Sequence, residues 1–254
     1  MRVVFLGTGT SQGIPVIGND HPVCHSTDTR DKRLRTSVYL ETDELNLVID
    51  TGPDFRQQML SNNIQRVDAV LYTHEHSDHV AGFDDIRPFN FKQKTDMPMY
   101  GDIRVCNALR RSFPYAFETE NKYPGAPGAI LNEIENKPFS IGGLEVLPIE
   151  VMHMNLPVLG YRIKDFTYIT DAKSIADQEL EKIKGSKVLV LNALRKEIHY
   201  SHFNLEEALK IVEKTKPERA YFVHISHLLG FHKEVSRELP ENVFLAYDGL
   251  NINV

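Results

Sequence analysis

Within six residues, positions 74–79 carry His74, His76, Asp78 and His79, directly after the apolar stretch Val67 to Tyr72. Nothing else in the chain limits the fold as much. An apolar run followed at once by a dense donor cluster reads as a buried strand that ends at a cleft. Imidazole nitrogens and a carboxylate oxygen suit zinc, and also manganese, iron or nickel. Four such groups cannot all crowd one ion alongside further protein ligands and water. The spacing therefore hands two donors to one ion and two to its neighbour. Two close ions are a known device for hydrolysing phosphate esters and amides. A histidine-rich surface turn is the plain alternative, and an Asp-His pair directly behind His-x-His at a strand end argues against it.

A two-ion centre needs more donors, and three candidates sit where an apolar strand stops. His153 follows Leu144–Val151, Asp171 follows Phe166–Thr170, and His224 follows Ala220–Val223. A lone histidine at a strand end is usually a satisfied structural or surface residue. Three strand-end donors added to the 74–79 cluster favour a shared ligand set.

With 254 residues, 41% hydrophobic and 25% charged, the chain has the make-up of a globular protein and can bury a substantial core. It is read as one domain over 1–254. No apolar run approaches bilayer length, and MRVVFLGTGT lacks a signal peptide's core and cleavage site, so a cytoplasmic home away from membranes is expected. Cys24 and Cys106 make no disulfide framework, and Cys106 reads as helix core. A net charge of −6 does not suit a protein that coats nucleic acid, so an extended nucleic-acid partner is not expected. A local cationic pocket stays open, because two divalent ions would outweigh their carboxylate ligands.

Patterning places strands near 2–6, 36–41, 45–49 and 67–72, then 144–150, 158–164, 166–170, 187–191 and 219–223. Helices are expected at 54–61, from 103 to about 111, at 176–183, and from Asn204, as cap, to Glu213. Strands mixed with helices in both halves predict an α/β architecture of two sheets sandwiched between helices. The aromatic, Pro/Gly-rich segment 113–128 reads either as a lid or as a loop anchored on the body or in a homodimer. Gly7-Thr-Gly-Thr-Ser-Gln-Gly13 lacks the ending of a nucleotide P-loop and reads as a tight turn beside the site. Arg35, Arg87 and Arg195 read as structural ion pairs in preference to phosphate contacts.

Several segments together carry a family resemblance: GTGTSQGIPVIG, VIDTGPDFR, THEHSDHVAGFDDIRPF, TDA at 170–172, NALR at 192–195, SHFNLEEAL, and HISH at 224–227. In these the chain resembles the metallo-β-lactamase fold superfamily, and within it the PhnP-like phosphodiesterases. The resemblance implies a four-layer αβ/βα sandwich and two divalent ions, zinc or manganese. It implies His74, His76 and His153 on one ion and Asp78, His79 and His224 on the other, with Asp171 bridging. Asp50 resembles a carboxylate that orients ligands. A hydroxide held between the ions would be the nucleophile, and His202 matches the histidine that protonates the leaving group.

The family pattern also holds a structural zinc in a Cys-rich loop after the first glycine-rich segment. Here Asn19 and His21 replace two of those cysteines and Cys24 remains. His21, Cys24 and His227 are candidates for that zinc, with packing and hydrogen bonding as the alternative.

The expected function is hydrolysis of a small cyclic phosphate or nucleotide-like diester. A tRNA 3′-end-type endonuclease is the main alternative, set back by the acidic balance and by the lack of a basic, Gly/Pro-rich arm. A non-catalytic binding module is more remote, because every ligand position is filled.

Overall fold

Strand β1 (Arg2–Gly7) shows why the chain builds layers. Val3 and Phe5 join one buried cluster while Val4 and Leu6, on the opposite face, join another. A strand apolar on both faces needs cover on both. The computed structural model describes residues 1–118 and 122–254. The first sheet takes β1, β2 (Ser37–Glu41), β3 (Asn46–Ile49), β4 (Ala69–Leu71), β5 (Met97–Gly101) and β6 (Ala129–Glu133). The second takes β7 (Phe139–Ile141), β8 (Leu144–His153), β9 (Leu156–Ile163), β10 (Phe166–Tyr168), β11 (Val188–Asn192), β12 (Arg219–Val223) and β13 (Val243–Leu245). β14 (Asn251–Asn253) returns to the first sheet beside β1.

The strand orders are β14-β1-β2-β3-β4-β5-β6 and β13-β12-β11-β10-β9-β8-β7. Each sheet has a parallel run, β3 to β6 in one and β10 to β13 in the other. The inner faces meet over a shared core that includes Phe5, Ile49, Tyr161 and Phe166. Helices α1 (Phe55–Ser61), α2 (Ser77–Val80), α3 (Arg87–Gln93), α4 (Ile103–Ser112) and α5 (Pro114–Phe117) belong to the first half. Helices α6 (Asp177–Ile183), α7 (Leu205–Thr215) and α8 (His232–Val235) belong to the second. Residues of α1, α3 and α4 pack on the outer face of the first sheet, and residues of α6 and α7 on that of the second. The result is the four-layer αβ/βα sandwich.

Asn204 caps α7 as expected: its side chain accepts from the Glu207 N–H at 2.9 Å, and Glu207 accepts from the Asn204 N–H at 3.0 Å. Cys106 is buried in α4. Strands β5 to β7, β13 and β14 escape the sequence patterns because they are short and, at the sheet edges, half-exposed. In the 113–128 segment, the part at 119–121 lies outside the described residues. Phe113 stacks on Phe83 at 4.5 Å, and the Tyr115 hydroxyl donates to Asp84 at 2.7 Å. These contacts favour the anchored reading over the lid.

Candidate metal centre

The site forms at the C-terminal ends of the parallel strands, where side chains leave the core for a cleft. Asp50, Asp171 and His224 follow β3, β10 and β12, and all three have left-handed backbone, with φ of 66°, 57° and 55°. That conformation costs a non-glycine residue roughly 1–2 kcal/mol. Asp and His tolerate it better than branched residues do, so the chemistry of the site and the backbone bend select the same residue types.

Asp50 organises the first half of the site. Its carboxylate accepts from the Thr73 N–H and hydroxyl, both at 2.8 Å, and lies 2.7 Å from His79 Nδ1. The Thr73 hydroxyl also lies 3.0 Å from His74 Nδ1. The other half is held by Asn192, which accepts from the Ala172 N–H at 2.8 Å and donates to its carbonyl at 3.0 Å. Thr170 donates to Asp171 at 2.7 Å. Sequence reasoning gave Asn192 no role, although it opens the quoted NALR segment.

Three donor groups converge, each with ligand atoms within 4.8 Å of one another: His74, His79 and Asp171; Asp78, His79 and His224; His153, Asp171 and His202. Asp171 belongs to two of them, with one oxygen 3.3 Å from His79 Nε2 and the other 3.1 Å from His224 Nε2. His79 Nε2 and both ring nitrogens of His224 are buried without a hydrogen-bond partner. Buried polar atoms are nearly always paired, and N/O donors left this way suit a divalent cation. His76 joins none of these groups; its Nδ1 lies 3.0 Å from His74 Nε2 at the cavity edge. His74 also lies beside the other two histidines expected with it, its ring centroid 4.6 Å from that of His76 and 6.1 Å from that of His153.

Charge is pooled within the cluster. Burial alone would push the Asp171 carboxyl up, but His224 and His79 hold it well below the usual carboxylate range. Burial would push His79 down, but Asp50, Asp171 and Asp78 hold it well above its ordinary value. Burial and the neighbouring His224 push His202 down to about 3.

His202 is placed by its neighbours. The Phe203 N–H donates to Ala172 O at 2.7 Å, which sets His202 Nδ1 3.6 Å from Asp171. His153 Nδ1 lies 2.8 Å from the Ser201 carbonyl. These residues open on a cavity of about 340 Å³, which Thr10 and Ser11 of the glycine-rich turn also line. His199 and Tyr200 complete its wall. No sequence signal singles out these two, because a loop histidine and tyrosine match no spacing rule.

The candidates for the structural zinc lie near one another. His21 and His227 have ring centroids 5.1 Å apart, but His227 Nε2 faces the Asn19 amide at 3.3 Å. His21 Nδ1 accepts from the Val23 N–H at 3.3 Å. His21, Cys24 and His227 are not among the groups whose donor atoms all lie within 4.8 Å of one another, while His227 Nδ1 is buried without a hydrogen-bond partner. The arginines are structural. Arg35 pairs with Asp54 at 3.0 Å, Arg87 pairs with Asp84, and Arg195 donates to backbone carbonyls.

Fold and donor set together are those of the metallo-β-lactamase class of hydrolase folds. The profile of the family described as "Beta-lactamase superfamily domain" matches residues 45–225. The chain belongs to this superfamily and, within it, to the PhnP family. It is 37% identical to a solved structure described as a new diphosphatase from the PhnP family, at a TM-score of 0.93, covering 100% of this chain and 97% of that one. A protein of Porphyromonas gingivalis named octanoyltransferase is 40% identical over 253 residues, 98% of this chain and 51% of that protein. The chain spans about half the length of the curated relatives it matches. Human tRNase Z, short form, shares the fold at a TM-score of 0.72 and 17% identity, covering 100% of this chain and 99% of that one. Among the described residues no helix is long and apolar enough to cross a membrane.

Proposed function

We propose that the protein is a dinuclear metal-dependent phosphodiesterase that cleaves a small cyclic phosphate or nucleotide-like diester. The observation that carries this reading is the sharing of Asp171 between converging donor groups, with His202 beside it. His74, His76 and His153, whose rings lie together, would hold one ion, and Asp78, His79 and His224 a second, with Asp171 shared between them. Two divalent ions, when bound, would supply an activated water and offset charge on a phosphoryl group. Asp50 keeps the His79 ring oriented, and the Ser201 carbonyl does the same for His153. His202 stands where it can pass a proton to a leaving oxygen. A bound phosphodiester anion beside it would raise its low pKa, because an opposite charge favours imidazolium.

Substrate size follows from the cavity. Among the described residues neither Lys nor Arg lines it, so attraction for phosphate would rest on bound cations and histidines. A small diester needs no more than that, whereas RNA held along its backbone needs a basic track. This supports the small-substrate reading over the tRNA 3′-end alternative. The PhnP-family diphosphatase keeps a phosphoanhydride within the substrate range. The name octanoyltransferase belongs to a protein about twice as long and is not carried over.

The test is turnover. Metal-loaded protein should hydrolyse bis(p-nitrophenyl) phosphate and at least one member of a panel of cyclic phosphates and nucleoside diphosphates. Failure on the whole panel, with tight binding of a partner, would establish the binding-module alternative instead.

A further inference from the structure

Three rings run in order from the mouth of the cavity to its floor. Tyr200 stacks on His199 with centroids 4.4 Å apart and planes 29° apart. His199 stacks on His202 at 5.2 Å and 26°. His202 in turn lies 4.7 Å from His224. His199 covers one face of the Tyr200 ring, yet Tyr200 is 70% exposed, so its other face is open.

The loop that presents this stack is tied at its base and along its length. The Leu205 N–H donates to Arg195 O at 2.9 Å and the Leu194 N–H to Phe203 O at 3.0 Å. Arg195 donates to Ile198 O at 3.0 Å, Asn204 donates to Lys196 O at 3.0 Å, and the Ser201 hydroxyl lies 3.2 Å from His199 Nδ1. A large aromatic held on such a loop, with one face backed and one open at the wall of a polar cavity, has the geometry of a stacking platform. Its position is informative too. Through His199 the platform is continuous with His202, the residue proposed to protonate the leaving group.

We infer that Tyr200, backed by His199, stacks against a planar base of the substrate, which makes nucleotides the preferred class over base-free sugar phosphates. The inference rests on the phosphodiesterase reading for the reacting group alone; the stacking has its own readout in binding.

The experiment uses the metal-loaded protein, with wild type, Tyr200→Ala and Tyr200→Phe compared by calorimetry on AMP and on ribose 5-phosphate. Base–aromatic stacking of about 1–3 kcal/mol corresponds to roughly 5- to 150-fold in affinity. Wild type should bind AMP more tightly than ribose 5-phosphate by a factor in that range. Tyr200→Ala should remove the preference by weakening AMP alone, and Tyr200→Phe should retain it. Equal affinity for the two ligands in wild type, or an equal loss for both in Tyr200→Ala, overturns the platform. Turnover of 2′,3′-cyclic AMP and of methyl riboside 2,3-cyclic phosphate by the same samples separates the two readings. A binding preference without turnover keeps the platform and removes the phosphodiesterase, and turnover without a preference does the reverse.

Discussion

Asp50 and His79, 29 positions apart in the chain, meet in the interior, with Asp50 Oδ2 2.7 Å from His79 Nδ1 and both residues wholly buried. This contact reserves Nδ1 for the carboxylate and leaves Nε2 facing Asp78 and Asp171, each at 3.3 Å. A carboxylate behind a ligating histidine fixes its tautomer and raises its basicity. Asp50→Asn should therefore weaken metal binding by about 10- to 100-fold. Titration with zinc or manganese checks this, and an unchanged affinity would show that Asp50 only holds the fold.

Asp171 is shared between donor groups, so its loss should reach both ion positions at once. Asp171→Ala should lower bound metal and turnover together, as read by elemental analysis and a phosphodiesterase assay. Full activity in that variant rules out the shared-ligand role.

His202 should behave differently. Its expected task is proton transfer, which contributes about 10²–10⁴-fold. His202→Ala should lower kcat within that range while keeping its metal. The loss should be smaller for a p-nitrophenolate leaving group, which needs no proton, than for an alkoxide. Similar losses on both substrates would instead mark His202 as a ligand, a role its grouping with His153 and Asp171 also permits.

The Asn19–His227 contact stands where the family pattern holds zinc. His227→Gln should leave the metal count per chain unchanged. A loss of one equivalent of zinc would show that His21, Cys24 and His227 converge after all.

Away from the site, His232 is buried against Arg33, which donates to its Nδ1 at 3.1 Å. Burial, Arg33 and Arg30 push the imidazole down to about 4. The unfolded chain takes up this proton near pH 6.5, the folded chain only near 4. The stability this provides is intact above about pH 6.5 and declines as the pH falls towards 4. Urea midpoints for wild type and His232→Gln, at equal metal content, should converge between pH 7.5 and 5. A constant gap would show that the ring stays neutral in both states.

The donors of the candidate site could be named in advance because strand ends are local features. An apolar run that stops at His or Asp is visible in one dimension, as at Val67–His74, Phe166–Asp171 and Ala220–His224. The layered fold was legible for the same reason, since runs such as Val3–Leu6 are apolar on both faces. Grouping was not local. That Asp171 meets both His79 and His224, and that His227 lies against Asn19 and His21, depends on packing between segments far apart in the chain. Asn192 and Tyr200 matter only through what lies beside them in space, the Ala172 turn for one and the His199 ring for the other. Amino-acid type and spacing determined which atoms can bind a cation and that they sit at strand ends. Tertiary structure alone decided which of them share a point, because the two sheets bring those ends together and sequence distance does not encode that approach.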